Sequence, residues 1–156
     1  MFDDFKDLLS AFNAHGVKYL VVGGHAVSFH AQPRATKDMD MFIKADPANA
    51  RAMLAAFGAP LDGISESDLA DPKKFIRFGE PPVAVDLLPG IDGVDFDEAW
   101  SRRVEEVIDE KDGLIVFFIG RIDLIASKLA AGRMRDLADV EEIRVAENSK
   151  SERGRD

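Results

Sequence analysis

The sequence predicts an α+β fold, a small mixed β-sheet covered by helices with a helical segment at its C-terminal end. Three observations lead there. Apolar residues recur at helical spacing near both ends of the chain. Between them lie short apolar runs closed by Gly, Pro and Asp. The runs "VEEVID" and "LIVFFIG" flank "EKDG", a good hairpin turn. At 156 residues the chain suits one domain with a real core.

The elements follow in order. Phe2, Phe5, Leu8, Leu9 and Phe12 give an amphipathic helix over about residues 2 to 14, stopped at Gly16. "VKYLVVG" (17 to 23) is a buried strand, and a short helix runs from Gly24 through Phe29. "QPRATK" is a loop, and "DMDMFIK" (38 to 44) is a second strand. Pro47 opens a helix that Gly58 closes. Ala59 to Lys74 reads mostly as loop. "KFIRFG" and "VAVDLLPG" are strands around the turn "EPP", and "DFDEAWSRR" is a short helix with Trp100 in the core. After the hairpin, whose Phe117 and Phe118 also read as core, Arg121 to about Ala146 is helical with a break near Gly132. One domain over 1–146 results, with a core at about 17–120 and helices at about 121–146. The polar stretch 147–156 is expected to be a disordered tail.

Composition excludes several classes. There is no cysteine, so disulfide frameworks and thiolate metal sites are out, and a reducing cytoplasm fits. The acidic, amphipathic start does not read as a signal peptide, and no apolar run is long enough to span a bilayer. The formal net charge of -9 argues against non-specific DNA binding and leaves room for a local basic patch.

The chemistry concentrates in "GGHAVSFHAQPRATKDMDMF", Gly23 to Phe42. Side chains alternate along a strand, so Asp38 and Asp40 share one face, roughly 7 Å apart. At an effective dielectric near 20 such charges repel by about 2.4 kcal/mol. Either a bound cation or a nearby basic side chain (Arg34, Lys37 or Lys44) neutralises them. Oxygen ligands suit Mg²⁺ or Mn²⁺. Asp86 is a third acid inside an apolar run, where it is costly unless paired or used. Upstream, Gly23-Gly24 ends a strand just before a helix, where backbone N–H groups can meet a phosphate. A glycine pair alone is equally a tight turn.

The order of these features, with "VVGGHAV", "PRATKDMDMFI", "VAVDLLPG" and "LIASKLAAGRMRDLADVEEI", resembles the polymerase-beta-like nucleotidyltransferase superfamily. It looks most like the small bacterial members associated with toxin–antitoxin or abortive-infection systems. The resemblance implies that Gly23 and Gly24 hold the β- and γ-phosphates of an NTP. It implies that Asp38 and Asp40 bind two Mg²⁺ (or Mn²⁺) ions, with Asp86 completing one metal site and helping to deprotonate the acceptor hydroxyl. Lys128 corresponds to a triphosphate-facing lysine, and Asp136 and Asp139 to a supporting element of the C-terminal helices. Many members carry Gly-Ser where this chain has Gly23-Gly24, followed by His25, a candidate for lining the nucleotide pocket. The implied partners are an NTP, an RNA, protein or small-molecule acceptor, and a toxin–antitoxin partner protein.

Other residues stay open. Lys128, Arg133 and Arg135 form either a patch for the triphosphate or helix charges paired with Asp136, Asp139 and Glu141. Arg34 faces either phosphate or a loop salt bridge, and "KKFIR" (73 to 77) is either an RNA contact or a strand with solvated flanks. The expected activity is metal-dependent nucleotidyl transfer. A non-catalytic, antitoxin-type binding module and a phosphoesterase are the alternatives.

Overall fold

A computed structural model describes residues 1–58 and 63–153 of the chain. Its elements are α1 (Asp3–Ala14), β1 (Tyr19–Val22), α2 (Gly23–His30), β2 (Met39–Ile43), α3 (Pro47–Phe57), α4 (Glu66–Ala70), β3 (Ile76–Phe78) and β4 (Val85–Leu88). They continue as α5 (Phe96–Ser101), β5 (Val104–Asp109), β6 (Leu114–Phe118), α6 (Arg121–Ala131) and α7 (Met134–Arg153). The fold is α+β, with a mixed sheet in the order β3-β4-β2-β1-β6-β5.

That order follows from local pairing. β1 and β2, β3 and β4, and β5 and β6 are antiparallel neighbours, each pair close in sequence. Two parallel seams, β2 with β4 and β1 with β6, join the three pairs side by side. The seams place β1, β2 and β4 at the centre of the sheet. There the apolar runs of β1 and β2 are buried along almost their whole length.

Helix boundaries obey capping chemistry. Phe5, Leu9 and Phe12 form the buried stripe of α1, which packs on α3 and β6. Asp46 caps α3 by accepting from the Asn49 N–H, and Pro47 occupies its first turn. Ser65 and Asp68 make a reciprocal capping box on α4. This helix falls in the stretch expected to be mostly loop; residues 59–62 of that stretch lie outside the described residues. Five residues are too few for an apolar period to show, although the Ser-x-x-Asp cap was readable.

The C-terminal helix differs from expectation. In place of a disordered stretch from residue 147, α7 continues to Arg153. No Gly or Pro interrupts it, and its polar residues include strong helix formers such as Glu, Arg and Lys. Arg121 reaches it through Glu147 at 3.6 Å. Residues 154–156 lie outside the described residues. No described helix is long and apolar enough to cross a membrane.

Two polar side chains tie the frame together. Asp123 is buried at the start of α6 and accepts two hydrogen bonds from Arg102, at 3.0 and 2.8 Å. Asn49 is buried on α3, accepts from the Lys18 N–H, and donates to the Lys18 and Lys44 carbonyls. It thereby clamps the backbone flanking β1 and β2, the strands that carry the site. Asn49→Ala should cost about 1–3 kcal/mol, since it removes three part-buried hydrogen bonds to the Lys18 and Lys44 backbone. Urea unfolding measures this, and a loss below about 0.5 kcal/mol would contradict it. Phe118 is buried as expected, whereas Trp100 is half-buried, with the Arg103 guanidinium 4.0 Å from its ring centre.

Candidate functional site

Sheet register assembles the site. Val22 of β1 lies opposite Asp40 of β2, Asp40 beside Asp86 of β4, and Asp86 opposite Arg77 of β3. Residues in register share a face, so Asp40, Asp86 and Arg77 form a row across adjacent strands. Asp38 precedes β2 and lies on the same side as Asp40.

The cation beside the paired aspartates is Arg77. Its Nη2 donates to Asp38 Oδ2 at 2.5 Å, and its Nε lies 3.4 Å from Asp86 Oδ1. The basic residues nearer in sequence turn elsewhere. Arg34 donates to Asp139 at 2.9 Å and Glu142 at 3.1 Å, and Lys44 donates to Asp97 at 2.7 Å. Arg77 was one of the "KKFIR" residues, and nothing in the local sequence links it to Asp38. Only the antiparallel pairing of β3 with β4 does.

Asp40 is the most perturbed of the acids. Burial, a hydrogen bond with the Asp86 carboxyl, and the Asp86 and Asp38 charges lift it from 3.8 to about 6, with Arg77 acting in the opposite sense. Asp38 Oδ1 and Asp86 Oδ1 are buried and have no hydrogen-bond partner.

The glycine turn touches these acids directly. Gly23 has φ +64°, and a Cβ built on it would collide with the Asp40 carboxylate. A Cβ on Gly24 would lie 2.8 Å from Thr36 Cγ2. Both glycines therefore let α2 start against the strand and loop that carry Asp38 and Asp40. The first N–H groups of α2 have no partners within the helix and form its positive end.

A cleft of about 490 Å³ opens beside this turn, lined by Gly23, Gly24 and Asp40 on the sheet side and by Arg34, Lys128, Arg133 and Arg135 among its other walls. Ser127, Asp92 and Gly90 also border it. Lys128 donates to Asp139 at 3.0 Å and lies 3.6 Å from Asp136, which is buried and accepts from Arg133. Burial opposes the Asp139 charge, yet hydrogen bonds from Arg34 and Lys128 outweigh it and hold the carboxyl below its ordinary range. Asp136 is likewise held low, chiefly by Arg133. Lys128 and Arg133 are thus both paired and at the cleft wall, and Arg135 also lines it. Arg34 joins them, paired with Asp139 and Glu142 and also lining the cleft.

His25 stands apart. It lines a separate hollow with Met1, Phe2, Ser28 and Thr36, its ring edge-on to Phe5. Burial and the nearby N-terminus lower its pKa. Adjacency in sequence to Gly24 suggested the nucleotide pocket, but one residue along a helix rotates a side chain by about 100°.

The donor set suits a hard divalent ion. It consists of carboxylates only, and two of their buried oxygens lack a donor. Among the described residues no three His, Cys, Asp or Glu side chains are grouped to hold one ion as they stand, and the Arg77 guanidinium lies between Asp38 and Asp86.

Comparison with protein families matches residues 2–152 to a family described as a nucleotidyltransferase of unknown function (DUF6036). No curated protein matches the chain. The match spans nearly the whole sequence, including the glycine turn, all three aspartates and Lys128. The chain belongs to this DUF6036 nucleotidyltransferase family.

Proposed function

We propose that the protein transfers a nucleoside monophosphate from an NTP to a hydroxyl of an RNA, protein or small-molecule acceptor, using Mg²⁺ or Mn²⁺. The observation that carries this reading is the contact between Gly23 and the Asp40 carboxylate. It brings a phosphate-type turn and Asp40, the middle acid of the group, to one cleft, which Lys128, Arg133 and Arg135 also line.

In this reading the α2 N-terminus and the Gly23-Gly24 backbone bind the outer phosphates. Lys128 neutralises the triphosphate, oriented by Asp139 and Asp136. Asp38, Asp40 and Asp86 would hold the divalent ion. The ion would supply Lewis-acid charge stabilisation and acidify the acceptor hydroxyl. Asp86, lying away from the cleft beyond Asp40 in the sheet row, accepts the acceptor's proton.

The toxin–antitoxin association and a cytoplasmic location belong to the same proposal. A second reading, a non-catalytic binding module, draws support from exposed apolar side chains on α6 and α7: Ile122, Met134, Leu137 and Val145. Incubation with each labelled NTP, Mg²⁺ and total cell RNA or lysate separates the two. The wild type should incorporate label and release pyrophosphate, and Asp38→Ala should not. Lys128→Ala should weaken NTP binding about tenfold, as loss of one charge-assisted contact implies. No incorporation under any NTP, with equal NTP binding by all three proteins, would favour the binding module.

A further inference from the structure

We infer that Arg77 is a positioning residue that competes with the divalent ion for Asp38 and Asp86, and so sets how tightly the site takes a metal. The inference rests on the metal-and-nucleotide reading above and concerns a residue that reading does not use.

Three observations carry it. First, the guanidinium spans the two carboxylates that flank Asp40, with Nη2 on Asp38 and Nε 3.4 Å from Asp86. Second, it serves them incompletely. It makes one hydrogen bond, to Asp38 Oδ2, and its 3.4 Å approach to Asp86 forms an ion pair without a hydrogen bond, so Asp38 Oδ1 and Asp86 Oδ1 stay buried without a donor. The guanidinium is a rigid planar fork and cannot turn to each oxygen in succession. A compact ion has no such directional limit. Third, Arg77 can leave. Its side chain is 48% exposed and sits on β3, the edge strand of the sheet, while the Asp86 side chain is only 14% exposed.

Electrostatics give the sign. A divalent ion entering among these acids meets the guanidinium charge a few ångströms away, and the two cations repel. Metal binding therefore requires Arg77 to swing outward, and the cost of that movement weakens the observed affinity. Removing the guanidinium removes the competitor, whereas a purely structural Arg77 would leave metal affinity unchanged or lower it.

Mn²⁺ binding to the full chain, measured by electron paramagnetic resonance at pH 8 without nucleotide, tests this independently of turnover. Arg77→Gln should bind Mn²⁺ on the order of tenfold more tightly than wild type. Arg77→Lys, which keeps the charge and loses the fork, should fall between them. In wild type, the Arg77 Nε–H resonance should shift as Mn²⁺-mimicking Mg²⁺ is added. Thermal melts confirm that the variants are folded. If Arg77→Gln binds equally or more weakly while wild type binds, the competition is refuted and the metal reading stands. If neither protein binds Mn²⁺, both fall.

Discussion

Asp40→Asn is expected to raise the melting temperature of the chelator-treated protein while abolishing nucleotidyl transfer. The sign follows from the raised carboxyl. In the folded chain Asp40 titrates at about 6 in place of 3.8, so the native state binds a proton more readily than the unfolded state. Stability therefore falls as pH rises from about 4 to about 6, and the full cost is present above that window. A shift of this size corresponds to at most about 3 kcal/mol, which partial exposure screens to roughly 1–2 kcal/mol. For a chain of this length that is about 2–8 °C. Asparagine has nearly the same shape and no charge, so it lifts the cost. The gain should be present at pH 8 and gone near pH 4. Added Mg²⁺ should stabilise the wild type and not the variant, reversing the order. Activity should fall by at least about 10²–10³-fold, the scale of losing one electrostatic contact in a reaction centre. Scanning calorimetry across pH, with and without Mg²⁺, checks it. An Asp40→Asn protein less stable than wild type at pH 8 would show that the carboxylate serves the fold rather than the chemistry.

Gly23→Ala should lose both stability and nucleotide binding. The φ of +64° is strained for alanine, worth about 1–2 kcal/mol. The new Cβ also meets the Asp40 carboxylate, so either α2 or β2 must shift. Gly16 provides the control. Its φ is +68°, yet a Cβ there meets nothing within 4 Å. Gly16→Ala thus reports backbone strain alone. Gly23→Ala should be destabilised by at least about 1 kcal/mol more than Gly16→Ala. NTP affinity should drop for Gly23→Ala only. Equal losses at both positions, with NTP binding intact, would mean that the Gly23–Asp40 contact has no functional weight.

The two halves of the site differed in how much the sequence disclosed. "VVGGHAV" and "DMDMFI" were legible because their chemistry is local: a glycine pair at a strand end, and acids with period two in an apolar strand. Asp86 was legible as a lone charge in an apolar run. Arg77 was not, since its role depends on β3 lying against β4 and β4 against β2. His25 misled for the converse reason: sequence adjacency to Gly24 carried no information about which way a helix turns it.

By itself the sequence determined the kind of fold, most helices and strands, and the acids and glycines that make this chain a candidate nucleotidyltransferase. Those features rest on periodicity, capping and local backbone freedom, which act over a few residues. Tertiary structure alone decided the strand order, the meeting of Gly23 with Asp40, and the identity of the cation between Asp38 and Asp86. Each of these is a contact between strands or across a turn, set by register and packing of the sheet as a whole. Gly23 and Asp40 lie 17 residues apart and Asp38 and Arg77 39 apart, beyond the reach of periodicity or capping rules, so no local rule could have named them.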